Sequence, residues 1–255
     1  MSTEYSSGSG DVSVTLRLLW GLDERPSRGP KPSLTVDKIA AAGIELADEE
    51  GLTALSMRRV AAKLGVGTMS LYRYVPSKAE LMDVMLDRVI ASETMLSHMS
   101  GVEGKGWRER MYALAYASRE LYLRHPWLLH VSMARRLIGP SALASFEYFL
   151  DVMADTGLTE AEKLNTIGLV DGYVTSATRA VMEAAQAAER TGVSDEDYWE
   201  AHKPFLEKIL SEGHYPNMLK MREGVFEEAI ATSFEYGLQR VLDGLEVLIN
   251  SRKTD

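Results

Sequence analysis

The sequence predicts an all-α protein, a small three-helix unit followed by a larger helical bundle. Three observations lead there. Apolar residues recur at three- and four-residue spacing from Thr35 almost to the end. Ser, Thr, Gly and Pro punctuate that pattern at the places where helices start and stop. No stretch alternates apolar and polar residues between hairpin turns. The chain divides into a flexible N-terminal arm (1–33), the three-helix unit (34–80) and the bundle (81–255). The arm is polar and rich in Pro and Gly, with one apolar stretch, Val14 to Leu22, able to dock.

Thr35 caps a helix through Glu50, with Ile39, Ala42, Leu46 and Ala47 on one face and Gly51 as its stop. Gly43 inside it costs about 1 kcal/mol relative to Ala unless close packing requires it. Ser56 caps a second helix, Met57 to Leu64; Gly65-Val66-Gly67 turns, and a third helix runs from Thr68 through Tyr74. Ser77-Lys78-Ala79-Glu80 is a capping box for a fourth helix through about Ser97. Beyond Gly101–Gly106, helices are expected near Trp107–Arg124, Trp127–Arg136 and Ser141–Thr156, with Pro126 and Pro140 in first turns. A second capping box, Thr159 to Glu162, opens a long helix to about Arg190. Two more follow, Ser194–Glu212 with Pro204 inside it and Val225–Ser251.

The 255 residues carry 28 Lys and Arg against 37 Asp and Glu, a formal charge of −9. With no cysteine, disulfides, thiol catalysis and Cys-ligated zinc or iron–sulfur centres are excluded. No apolar run reaches the roughly 20 residues that span a bilayer. The polar start lacks a basic-then-apolar signal, so a reducing, cytoplasmic setting is expected. Charge is unevenly placed, however. Between Leu55 and Ala79 lie Arg58, Arg59, Lys63, Arg73 and Lys78 and no acid, a window of +5 that leaves −14 for the remainder. Arg25 to Pro32 adds three more cations.

That basic window coincides with a helix, a Gly-containing turn and a second helix, the arrangement that lays its second helix in the DNA major groove. Val60, Ala61, Leu64, Val66, Leu71 and Val75 supply the buried face, so Thr68, Met69, Tyr72 and Arg73 point outward. Thr68 suits a base edge or a thymine methyl, and Met69 the same methyl. Arg73 suits guanine or a phosphate. Arg58, Tyr74 and Lys78 are placed for phosphates. The bland alternative makes Tyr72 and Tyr74 half-buried core and Arg59 and Lys63 solubilising charge.

The segment from Ala54 to Lys78, ALSMRRVAAKLGVGTMSLYRYVPSK, resembles the signature of the tetracycline-repressor (TetR) family. The resemblance spans about 50 residues with the preceding helix, and more loosely the helix order beyond. It implies a homodimeric transcriptional regulator, acting as a repressor on a double-stranded DNA operator, with a C-terminal bundle that binds a small effector. By motif position Arg58, Thr68, Met69, Tyr72, Arg73, Tyr74 and Lys78 fall where the family contacts DNA. Members that bind magnesium–tetracycline use several His, a Glu and an Asn. The five His here (His98, His125, His130, His202, His214) place no two on one face at ligand spacing, so no metal and no cofactor is expected.

In the bundle, apolar stripes mark the last helix and the helix after Thr159. The resemblance turns these stripes into a four-helix dimer interface, with Val170, Val174, Ala177, Phe234, Leu238, Val241 and Leu245 as its candidates. An aromatic and Met-rich set between them is core or the lining of a pocket for a largely apolar effector, whose identity the sequence does not reveal. Its candidates are Tyr112, Tyr116, His130, Met133, Phe149, Asn165, Asp171 and Thr175. Asp171 stands out as a carboxylate in an apolar stretch that needs a partner. No nucleophile elbow, HExxH, phosphate loop or dinucleotide fingerprint is present, so an enzyme is disfavoured. A DNA-binding regulator without an effector, working through a protein partner, is the remaining alternative. No membrane association is expected.

Overall fold

The computed structural model describes residues 5–22, 34–90 and 101–252 and contains ten α-helices among them. In chain order these are β1 (Tyr5–Ser6), α1 (Val12–Leu19), α2 (Val36–Glu50), α3 (Met57–Lys63), α4 (Thr68–Tyr72) and α5 (Lys78–Ile90). Then follow α6 (Trp107–Arg124), β2 (Val131–Ser132), α7 (Pro140–Val152), α8 (Glu160–Thr191), α9 (Asp195–Ser211) and α10 (Val225–Arg252). No described helix is long and apolar enough to cross a membrane.

The caps act where the sequence places them. Thr35 accepts from the Lys38 N–H at 3.2 Å, and Gly51, at φ +78°, ends α2 in a backbone region that favours glycine. Ser56 accepts from the Arg59 N–H, and the Thr159–Glu162 box makes both of its reciprocal bonds. The Ser77 box differs. The Ser77 hydroxyl oxygen accepts from the Ala79 N–H, while the Glu80 carboxylate accepts from the Ser77 hydroxyl and from the Asp11 N–H at 3.0 Å. A backbone donor far away in sequence has taken the role of the local one. The expected continuation of this helix to Ser97 lies, beyond Ile90, outside the described residues.

Two cores result. The first packs α2, α3 and α4 (Ile39, Leu46, Leu55, Val60, Leu71, Val75) against α5 (Leu81, Val84, Met85), and continues through Leu121, Trp127 and Leu128 of the bundle. The second joins α6, α7, α8 and α10 around Met111, Phe149, Met153, Val170, Val174, Leu238 and Leu242.

Three expectations need correction. Residues 5–22 of the arm are not loose: β1 pairs in parallel with β2, and α1 buries Thr15 and Leu19 against α5. The expected helix Trp127–Arg136 is instead a 3-10 turn, Pro126–His130, running into β2. Val131 turns extended (φ −100°, ψ 130°) to pair with β1, which ends the helical path after one turn.

The third correction concerns the stripes. Val170, Val174, Phe234, Leu238 and Leu245 are buried inside the chain's own second core, with Ala177 and Val241 packed at its margin. Burial within one subunit removes most of them from a dimer contact. The outward faces carry other residues, Leu164, Gly168 and Gly172 on α8 and Arg240, Gly244 and Val247 on α10.

Candidate nucleic-acid interface and effector site

The core side chains Val60, Ala61, Leu71 and Val75 fix α4 across α3. Between the two helices Gly65 takes φ +66°, and Val66 donates to the Ala61 carbonyl at 3.0 Å, which closes the turn. This packing leaves Met69 76% and Tyr72 42% exposed. Thr68, Tyr74 and Lys78 are half-buried, and Arg58 and Arg73 are exposed.

The five cations of the basic window are not equivalent. Arg59 pairs with Glu50, and Lys63 lies 3.2 Å from Glu45 and 3.1 Å from Glu49, so α2 neutralises both. Both side chains are thereby committed to ion pairs with α2. Arg58 and Arg73 have no acidic partner among the described residues. Lys78 sits over the Tyr5 ring, its ammonium 4.6 Å from the ring centre. Exposed Met and Tyr beside two unpaired guanidinium groups form a surface suited to a polyanion with apolar base edges. The segment Arg25 to Pro32, the other cationic candidate, lies outside the described residues.

In the bundle, the effector candidates fall at separate places rather than around one cavity. The Tyr112 and Tyr116 hydroxyls both donate to Glu235 Oε2, at 2.7 and 2.8 Å, and the rings stack 4.8 Å apart. Gln239 donates to the other Glu235 oxygen at 2.8 Å and, with the two tyrosines, holds this carboxyl below the usual carboxylate range. Phe149 is core, Met133 lies exposed just after β2, and Asn165 is exposed on α8. His130 lines a shallow dent with Arg179, Met182 and Glu183.

Asp171 is exposed rather than buried, so it has no need of a partner, yet it meets one. Its Oδ1 accepts from the Tyr122 hydroxyl at 3.2 Å, and Thr175 donates to the same hydroxyl at 3.3 Å. Burial, reinforced by the Asp171 charge, pushes the Tyr122 phenol up to about 12. Nearby, desolvation lowers the pKa of the Arg136 guanidinium although Tyr122, Asp87 and Asp171 oppose it. A phenol, a carboxylate, a hydroxyl and a guanidinium thus meet on one side of the bundle. Tyr122, Arg136 and Glu235 were missed from the sequence. Tyr122 lies one helical turn before the Pro126 break, and Arg136 sits where a helix was expected, so neither carried a local signal. Among the described residues no three His, Asp or Glu side chains converge to hold an ion.

Comparison with known proteins bears on this arrangement. Residues 35–85 match the family model for bacterial regulatory proteins of the tetR family, and residues 100–249 the tetracyclin repressor-like C-terminal domain. The chain is 48% identical to the HTH-type transcriptional repressor DrrR1 of Streptomyces coeruleorubidus, over 99% of this chain and 92% of that protein. It is 24% identical to the class D tetracycline repressor protein of Escherichia coli, over 86% of this chain and 92% of that one. Among solved structures, a possible TetR family regulator from Streptomyces coelicolor A3(2) superposes with a TM-score of 0.61 at 24% identity, covering 84% of this chain and 99% of that one. ActR from Streptomyces coelicolor, in complex with actinorhodin, superposes with a TM-score of 0.57 at 23% identity, covering 84% and 95%. The helix-turn-helix geometry and these matches agree, and the chain belongs to the TetR family of DNA-binding transcriptional regulators, not to an enzyme family.

Proposed function

We propose that this chain is a cytoplasmic homodimeric repressor that reads an operator through α4 and leaves it when a small, largely apolar effector binds the bundle. One observation carries the reading: α4 and its C-cap expose Met69, Tyr72 and the unpaired Arg73, while neighbouring Arg59 and Lys63 are already neutralised by α2. Thr68 and Met69 address base edges. Arg73 takes guanine or phosphate, and Arg58, Tyr74 and Lys78 take phosphates.

Two such heads reach successive half-sites, about 34 Å apart, only if a two-fold axis pairs the subunits. The outward faces of α8 and α10 support that pairing. Val247 is 73% exposed, and added side chains at Gly168, Gly172 and Gly244 would meet no atom within 4 Å, so a partner helix can approach closely. Solved relatives lend support to release by an effector. The DrrR1 name denotes a repressor, and ActR has been solved with actinorhodin and with (S)-DNPA. The Tyr122–Asp171–Thr175 group beside Arg136 offers polar anchors for such a molecule. An effector that favours wrongly spaced heads shifts the population, and each tenfold loss of operator binding needs about 1.4 kcal/mol of differential affinity.

The test is fluorescence anisotropy with a labelled duplex from the region upstream of the protein's own gene. The expected result is sequence-selective binding that weakens steeply with salt, with Arg73→Ala costing about 1–3 kcal/mol. Val247→Glu, a charge on the proposed pairing face, should move the protein from dimer to monomer in sedimentation and reduce operator affinity. Salt-insensitive or unselective binding rejects operator reading, and a Val247→Glu dimer rejects this face.

A further inference from the structure

The helix α5 carries three buried carboxylates, Glu80, Asp83 and Asp87, and two separate stretches of chain occupy them. Asp87 accepts from the Ala142 N–H at 3.1 Å, at the start of α7. Glu80 and Asp83 instead hold the N-terminal segment. Asp83 accepts from the Ser7 hydroxyl at 2.6 Å and from the Gly8 N–H at 3.1 and 3.2 Å. Glu80 accepts from the Asp11 N–H at 3.0 Å.

The same segment grips the bundle. Tyr5 and Ser6 pair with Val131 and Ser132, Ser7 N–H donates to the Ser132 carbonyl at 3.0 Å, and Trp20 Nε1 donates to the Ile138 carbonyl at 3.2 Å. The fit is close. Gly8 has φ +68°, and a Cβ there would come within 2.5 Å of the Arg135 carbonyl oxygen. Thus 18 residues tie the first turns of α5 to the 131–138 stretch of the bundle, with the Tyr5 ring under Lys78 at one end.

We propose that the segment Tyr5–Leu22 is an intramolecular clamp that positions the operator-binding head without itself touching DNA. Tyr5 acts through Lys78, fixing its ammonium by cation–π attraction 4.6 Å from the ring centre. Ser7, Gly8 and Trp20 keep α5 in register with the bundle, so displacement of the 131–138 stretch is carried to Lys78. This inference rests on the reading of Lys78 as a phosphate contact. It makes Tyr5 a positioning residue and assigns the arm a role that its composition alone did not suggest.

The experiment uses the full chain and the upstream duplex described above, with anisotropy titrations over a range of salt for Tyr5→Ala, Tyr5→Phe, Lys78→Ala and the Tyr5→Ala/Lys78→Ala double variant. Lys78→Ala is expected to lower the slope of log affinity against log salt by about one. Tyr5→Ala should weaken binding about 2- to 5-fold, and Tyr5→Phe, which keeps the ring, should restore it. The double variant should bind no worse than Lys78→Ala alone, an overlap that a purely structural role for Tyr5 would not produce. Gly8→Ala, which disturbs the bundle end of the clamp, should also weaken binding. Wild-type affinity in Tyr5→Ala, multiplied losses in the double variant, or an unaffected Gly8→Ala each overturn the clamp. If Lys78→Ala alone is silent while Arg73→Ala is not, the phosphate role of Lys78 falls and the clamp falls with it, yet operator reading by α4 stands.

Discussion

Replacing Asp48 by Ala tests how the reading head is joined to the bundle. Asp48, on α2, accepts from Trp127 Nε1 at 2.8 Å, and its two oxygens lie 2.8 and 3.0 Å from His125 Nδ1. Both partners follow the end of α6 and are buried, Trp127 to 2% exposure. A carboxylate only accepts, so His125 presents its Nδ1–H to it. Asp48→Ala therefore strands two donors, each costing about 1–3 kcal/mol if left unsatisfied. The Asp48 side chain is 27% exposed, which lets water follow and favours the lower end of that range, about 2–4 kcal/mol in all. For a chain of this size that corresponds to roughly 5–15 °C in melting temperature.

The assay is thermal and urea unfolding at fixed protomer concentration, because pairing of subunits would shift the midpoint with concentration. Asp48→Asn keeps one acceptor and should lose about half as much. Trp127→Phe removes the indole N–H, so combining it with Asp48→Ala should reveal a coupling of about 1 kcal/mol or more. Stability within about 0.5 kcal/mol of wild type for Asp48→Ala, or strict additivity with Trp127→Phe, would refute the argument.

Two further outcomes follow from the packing of α5. At Glu80, burial raises the pKa, but hydrogen bonds from the Ser77 hydroxyl and the Asp11 N–H outweigh it and leave the value lowered. Its stabilisation is therefore complete above the unfolded-state value and is lost as pH falls through the folded one. Asp83 is raised by burial, so its contribution is greatest in acid and declines as pH rises from the unfolded-state value through the folded one. In urea melts from about pH 3 to 7, Glu80→Gln should cost most near neutrality and Asp83→Asn most in acid; parallel pH profiles contradict this assignment. Separately, a Cβ at Gly43 would come within 2.7 Å of the buried Met85 Sδ. Gly43→Ala should therefore destabilise by about 1 kcal/mol net, overpacking exceeding the gain in helix propensity, and a more stable variant would show that Met85 yields freely.

What was legible in the sequence is what neighbouring residues decide. Caps at Thr35, Ser56 and Thr159, the stop at Gly51, and the 3.6-residue period placed most helices within a residue or two of their observed ends. The helix-turn-helix was legible for the same reason, since the Ser56 cap, the Gly65 turn and the packing of α3 on α4 all lie between Ser56 and Val75. On α10 the period located an apolar stripe correctly, but periodicity does not say what covers a stripe. Phe234, Leu238 and Leu245 are consumed by the chain's own core. The face left outward, with Arg240, Gly244 and Val247, is mixed and small, so it gave no hydrophobic signal.

The arm and the 126–136 stretch failed together, and for one reason. Each is shaped by chain lying 118 or more positions away in sequence, Tyr5 against Val131 and Trp20 against Ile138. Two-residue strands have no pattern of their own to read. A trace was nevertheless present in α5, where Asp83 and Asp87 interrupt the apolar run Leu81-Met82-Asp83-Val84-Met85-Leu86-Asp87. A carboxylate buried on a helix must find donors, and every donor of its own helix backbone at those positions is already bonded to the preceding turn. Such residues therefore announce that other backbone must arrive with free N–H groups. The inference does not reach Asp171, which is exposed, but it holds for the buried Asp83 and Asp87, whose donors include the N–H groups of Gly8 and of the first turn of α7.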